Sequence, residues 1–243
     1  SIVVSDTTGN VKKCRAMICK RWPWILNCPD PCHQLNLMMK DIMVMAIISV
    51  ITTYFSHSNY ATHHLKEELK KEKDQRGIQV AGATRFSSFS IHARSISRCL
   101  YPIQRCLVSG TIKFDTKAYL MPGTDCLKFQ MDLHNVNQLL TPITRGLETL
   151  EGQNTTCSDV FHVYTGIAVN FVTMFSDKDS LVYQYRTATF NIYNRRFNNF
   201  MNDCTPGMFI LAYLLDPGKH LRITSASSKL NSVQSTTKIG LLD

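Results

Sequence analysis

Two short stretches hold the residue types most able to do chemistry. Asp6 follows a β-branched run, Ser1 to Ser5 (S-I-V-V-S), and precedes the polar turn Thr7-Thr8-Gly9-Asn10. A carboxylate at the carboxyl end of a strand is a common metal ligand, and two-metal phosphoryl chemistry needs several such hard oxygen ligands converging on Mg²⁺ or Mn²⁺. The competing role for Asp6 is to cap the helix that follows. The second stretch, Asn27 to Asp41 (N-C-P-D-P-C-H-Q-L-N-L-M-M-K-D), carries Asp30, Cys32 and His33, with Cys28 just before them. Such a set could hold zinc, but structural zinc sites take four ligands, commonly from two separated pairs. Cys14 and Cys19 are available, yet no second well-spaced pair is evident. The structural alternative makes Asp30 a cap or turn former and has His33 hydrogen-bonded to backbone where the chain enters a helix.

Other catalytic signatures are missing from the sequence. There is no G-x-S-x-G, no P-loop and no dinucleotide fingerprint. His57, His63 and His64 tempt a metal reading, but neighbouring residues on a helix point to different faces. Nine cysteines without a single CxxC pair fit reduced, mostly buried thiols better than a disulfide framework. Asn154-Thr155-Thr156 is formally a glycosylation sequon, with no secretory signal segment to give it meaning.

These residues must be positioned by the elements around them. The Ser1–Ser5 run reads as a buried strand ending at Asp6, and Val11 to Arg21 as a helix. That helix sets Lys12, Lys13 and Arg15 on one side and Met17 and Ile18 on the other. Trp24 to Leu26 reads as a second short strand that stops at Pro29. Leu35 to Phe55 then reads as one long helix with Leu35, Met38, Met39, Ile42, Met45, Ala46, Val50 and Tyr54 at helical spacing. A charged helical face follows in Ser56 to Arg76, and Gly77 to Phe86 is a loop. Ser88 to Val108 is a helix that Pro102 kinks, and Gly110 to Gly123 is a connector. Further helices are expected at Leu133–Leu150, interrupted by Pro142, and up to Phe175 behind a Thr156 or Ser158 cap. Two more cover Leu181–Asp203 and Met208–Leu215. The coarse architecture is mainly α with a small α/β N-terminal piece.

Composition bounds the function. The chain of 243 residues is 44% hydrophobic and 19% charged, which suits a globular protein. Its formal net charge of +9 favours polyanionic partners such as nucleic acid. The longest uncharged apolar run, Ile42 to Phe55, is about fourteen residues, short of the roughly twenty that a membrane span needs. The opening at Ser1, inside a strand, reads as that of a fragment or a processed product.

Taken in order, the segments resemble hAT-family transposases, and more narrowly fungal hAT-derived proteins with a ribonuclease H-like domain. The likeness is carried by V-V-S-D-T-T-G-N-V-K-K-C-R (Val3 to Arg15) and W-P-W-I-L-N-C-P-D-P-C-H-Q-L-N-L-M-M-K-D-I. It continues through Tyr54-Phe55-Ser56-His57-Ser58, Thr84-Arg85-Phe86, Tyr193-Asn194-Arg195-Arg196-Phe197 and Leu214-Leu215-Asp216-Pro217. The D-P-C-H-Q-L-N-L segment is a form of that family's [C/D]xxH motif.

The resemblance implies a metal-dependent core in which two aspartates and a glutamate cut and join DNA. Asp6 would be the second aspartate, both catalytic residue and metal ligand, and Asp30 and His33 the structural [C/D]xxH pair. Residues 1–34 would be the edge of the ribonuclease H-like core, 35–223 a helical insertion domain, and 224–243 a polar tail. The first aspartate and the last glutamate have no match here, so no catalysis is expected of this chain alone, and Gly218 replaces a usual basic residue. Mg²⁺ or Mn²⁺ belongs to the intact enzyme, with none expected on this chain. Homo-oligomerisation likewise belongs to the intact protein. Nuclear localisation and weak, non-specific DNA binding through Arg85, Arg94, Arg98, Arg105, Arg195 and Arg196 complete the expectation. The alternative is a helical scaffold without DNA contact, and a small zinc-binding regulator is a third.

Overall fold

A computed structural model describes residues 1–43, 48–73, 75–79, 88–113 and 120–219. Strand β1 (Ile2–Ser5), helix α1 (Gly9–Arg21) and strand β2 (Leu26–Pro29) form one β-α-β unit. The two strands are parallel, with Ile2 opposite Leu26 and Ser5 opposite Pro29. Parallel neighbours need a crossover, and α1 supplies it.

Helix α2 (Pro31–Met43) leaves the end of β2 with no intervening loop. Asp30 is its cap: its carboxylate accepts from the Cys32 N–H at 2.9 Å, and its carbonyl accepts from the Gln34 N–H at 3.2 Å. Pro31 sits at the first helical position, where its missing N–H costs nothing. The long helix expected from Leu35 to Phe55 is described as α2 and α3 (Ile48–His57), and residues 44–47 lie outside the described set. Helices α4 (Asn59–Leu69), α5 (Ser88–Val108), α6 (Thr124–Leu150), α7 (Cys157–Met174), α8 (Arg186–Asn202) and α9 (Met208–Leu215) complete the described elements. A 3₁₀ turn, Leu181–Tyr185, leads into α8.

Helix α2 is the axis of this body, packing against α6, α8 and α5. Its Leu35, Met38, Met39 and Ile42 are fully buried. Each such side chain contributes about 1.5–3 kcal/mol relative to leaving it exposed. Gly146 of α6 lets α7 come close: a Cβ there would stand 2.7 Å from Val163 Cγ1 and 3.2 Å from Ile167 Cδ1. Of the apolar stripe the sequence places on α7, Val160, Val163, Ile167 and Phe171 are buried, while Met174 at its end is only half-buried. Thr156 caps it in a reciprocal box with Asp159. Among the described residues no helix is long and apolar enough to cross a membrane.

Three expectations are corrected. Helix α6 runs unbroken through Pro142, because Leu139, Leu140, Ile143 and Leu147 are all buried and hold both sides of the proline in one helix. Strand β1 is not buried: Ile2 and Val4 are 43% and 56% exposed, since β2 covers one edge and α1 one face. Helix α1 exposes Lys12 and Lys13 and half-buries Ile18 as read, but Arg15 and Met17 trade places. Arg15 is its buried residue, at 1% exposure, while Met17 is 64% exposed. The half-buried positions of α1 are Ile18 and Cys19, three and four residues after Arg15, so Arg15 lies on the inward face.

Candidate functional site

Asp6 and Asp30 stand side by side at the carboxyl ends of the two parallel strands. The Asp30 N–H donates to the Ser5 carbonyl at 2.7 Å, which fixes that juxtaposition. In open α/β sheets this end of the strands is where ligands bind. The Asp6 carboxylate accepts from the Thr8 N–H at 3.1 Å and the Thr8 hydroxyl at 2.9 Å. These two bonds hold its carboxyl below the ordinary range, and His33 and Arg15 push the same way. Asp6 therefore organises the turn into α1 by holding Thr8, the helix's N-cap residue, and does not itself cap the helix. His33 lies half-buried in the first turn of α2 and faces Asp6 closely enough to act on its charge.

The described residues do not assemble a metal centre. Among them no three His, Cys, Asp or Glu side chains converge as ligands. Asp6 alone offers too few oxygens for Mg²⁺ or Mn²⁺, which take about six ligands in octahedral order. Zinc at Cys28, Asp30, Cys32 and His33 fares no better. Asp30 is committed to its cap, and burial raises the Cys28 and Cys32 thiols to about 12. All nine cysteines are free thiols.

Sequence reasoning missed the residue that ties this region together. The Arg15 guanidinium is fully enclosed and forks between three elements. Nη1 donates to the Ser5 carbonyl at 3.1 Å, the Ser5 hydroxyl at 2.6 Å and the Asp6 carbonyl at 3.0 Å. Nε reaches Asn27 Oδ1 of β2, and Nη2 reaches Asp203 Oδ2 at 2.8 Å just beyond α8. Asp203 also pairs with Lys12 at 2.8 Å. Asn27 bonds the same segment through its backbone: Asn27 N–H donates to the Thr205 hydroxyl at 2.8 Å and Thr205 N–H donates back to Asn27 O at 2.9 Å. The far end of the helical body is thereby stitched to the β-α-β unit. The readable signal was the spacing of Arg15 to Ile18 and Cys19; its distant partners had none.

Beside this stitch lies a polar cavity of about 440 Å³. Thr7, Lys12 and Gln34 form one wall, and Arg196, Asn199, Asn202 and Asp203 of the α8 end form the other, with Leu37 as an apolar patch. Gln34 is buried and donates from Nε2 to the Thr7 hydroxyl at 3.2 Å. None of Gln34, Asn199 and Asn202 was singled out from sequence, because single carboxamides carry no local signature.

Of the six arginines expected on DNA, four of the five described are engaged within the fold. Arg94 is exposed on α5. Arg98 donates to the carbonyls of Arg76 and Gly77, both at 3.1 Å. Arg105 is bound by Glu68 at 2.8 Å and Glu72 at 2.7 Å, clamping α5 to α4 and the turn after it. Arg195 and Arg196 both grip Asp41 of α2, Arg196 with two nitrogens at 2.7 and 2.9 Å. Burial alone would raise the Asp41 carboxyl, but the two guanidiniums outweigh it and hold it below the ordinary range. Arg85 lies outside the described residues.

No protein-family model, no curated protein and no solved structure matches the chain.

Proposed function

We propose that this chain is a piece of a hAT-type DNA transposase, or of a protein derived from one, that binds DNA weakly and does not cut it by itself. The observation carrying the reading is the β-α-β unit, with Asp6 at the carboxyl end of β1 and Asp30-x-x-His33 at the carboxyl end of β2. The second of these opens directly into a mostly helical body, which is the order of parts the resemblance implies for the edge of a ribonuclease H-like core and its insertion domain. One of the three metal-binding carboxylates is matched within the chain, so strand transfer would lack most of its metal ligands. The net charge of +9 supports a polyanionic partner.

Fluorescence anisotropy with a labelled duplex, titrated with salt, tests this. Non-specific binding of order 10⁻⁴–10⁻⁶ M is expected near physiological salt, tightening steeply as salt falls. Affinity independent of salt, or no binding at low salt, refutes it.

A specific observation favours a second reading, a helical scaffold without DNA contact. Arg105, Arg195 and Arg196 are engaged by acidic partners within the fold. Apolar surface also remains on α9, where Leu211, Leu214 and Leu215 are each more than half exposed. Failure of the anisotropy assay would leave this reading standing.

A further inference from the structure

We propose that the polar cavity between α2 and the end of α8 holds one adenine nucleotide unit. The inference stands on the chemistry of the cavity, and only the choice of a DNA strand as the source of that nucleotide rests on the DNA reading above.

The cavity sits where the turn after β1, the start of α1, the first two turns of α2 and the last two turns of α8 meet. Its volume of about 440 Å³ lies in the range of small-ligand sites. Three carboxamides face it from two walls. Gln34 is fixed by burial and by its bond to Thr7, so it offers a pre-set edge. Asn199 and Asn202 are exposed, and among the described residues their side chains make no hydrogen bond. Each carboxamide carries a donor and an acceptor side by side, the pattern that pairs with N6 and N7 of adenine. Guanine presents two acceptors on that edge and suits a cation instead. Leu37 supplies an apolar surface for the face of a ring.

The charges favour a nucleotide over a bare anion. Lys12 is balanced by Asp203 and Arg196 by Asp41. A free phosphate would have to compete with both carboxylates, whereas a base anchored by uncharged groups gains from Lys12 as a secondary contact to its own phosphate. Lys12 is suited to this, being 56% exposed and able to turn from Asp203 to a ligand while Arg15 keeps Asp203 paired.

The test uses the full chain and titrates dAMP, inorganic phosphate and a labelled single-stranded oligo(dA) by calorimetry and anisotropy. The proteins compared are the wild type and an N199A/N202A double variant. Saturable dAMP binding is expected, with phosphate at least about tenfold weaker and the double variant losing at least about tenfold for dAMP. Both asparagines are exposed, so an unchanged thermal midpoint in the variant separates lost contacts from lost folding. Absence of saturable dAMP binding overturns the proposal, as does equal dAMP affinity in wild type and variant. If dAMP binds and oligo(dA) does not, the cavity holds a free nucleotide and not a unit of a DNA strand, and the duplex titration decides the DNA reading. If oligo(dA) binds both proteins equally while dAMP fails, the DNA reading stands and the cavity proposal falls.

Discussion

Arg15 offers the sharpest test of how this fold is held. Replacing it with Met keeps most of its volume and removes the charge and every donor. The guanidinium is 1% exposed and has five acceptors: Asn27 Oδ1, the Ser5 carbonyl and hydroxyl, the Asp6 carbonyl and Asp203. Hydrogen bonds to a charged group contribute about 1.5–3 kcal/mol each but do not add. Breaking one side of a buried pair costs about 3–5 kcal/mol. Asp203 keeps Lys12, and its carbonyl keeps Asn27 Nδ2, so the lower half of that range is expected for R15M. At about 2–4 °C per kcal/mol for a chain of this size, the thermal midpoint should fall by roughly 6–16 °C. Arg15→Lys should recover little, because an ammonium cannot reproduce a fork that bonds three elements. Urea denaturation of wild type, R15M, D203N and the double variant gives the coupling energy directly, expected near 1.5–3 kcal/mol. Lys12→Ala, at an exposed position, should cost at most about 1 kcal/mol. An R15M cost below about 0.5 kcal/mol, or zero coupling to Asp203, would refute this account of the stitch.

Two further predictions concern the helical body. Gly146→Ala gains about 1 kcal/mol of helix propensity but forces Val163 aside, an overpacking cost of about 1–3 kcal/mol, so the net effect should be destabilising. Gly166→Ala on α7, with nothing within 4 Å of the new methyl, should stabilise instead, and opposite signs in chemical denaturation check the pair. Asp159 titrates at about 2 because, although burial raises it, the Lys219 ammonium at 2.5 Å and the Thr156 bonds outweigh burial. A depressed acid stabilises the fold above its unfolded value, so a contribution that solvent screening limits to about 1 kcal/mol should be present above about pH 4 and lost as pH falls toward 2. Lys219→Met should therefore be less stable than wild type by about 1 kcal/mol at neutral pH, with the difference vanishing near pH 2.

The helices were legible because burial in them follows a strong 3.6-residue period. Val160, Val163, Ile167 and Phe171 illustrate this, and Asp30-Pro31 announced the start of α2 through cap and first-turn chemistry. Helix α1 was misread because charge was taken as a marker of exposure. A single arginine can be buried when all three of its guanidinium nitrogens find acceptors, and those acceptors lie on β1, just after it, on β2 and beyond α8. Pro142 was misread for a related reason: a local rule about helix breaking gave way to apolar packing on both sides of it. The strand-end position of Asp6 was readable, but its carboxylate holds the cap residue Thr8 and does not cap α1. The cavity was not, since Gln34, Asn199 and Asn202 are brought together only by the packing of α8 on α2.

The exchange between Asn27 and Thr205 joins residues 178 positions apart. During synthesis the β-α-β unit leaves the ribosome before the helical body that follows it, yet Arg15 and Asn27 must wait for residues 203–205. At about 5–20 residues per second that interval is roughly 9–36 s. Over that time a buried cation and an exposed strand edge have no partner from the other end of the chain. The β-α-β unit is thus made before the helical body and finished only after it. Any nascent-chain holding factor would be needed most at α1, well before the helical body is complete.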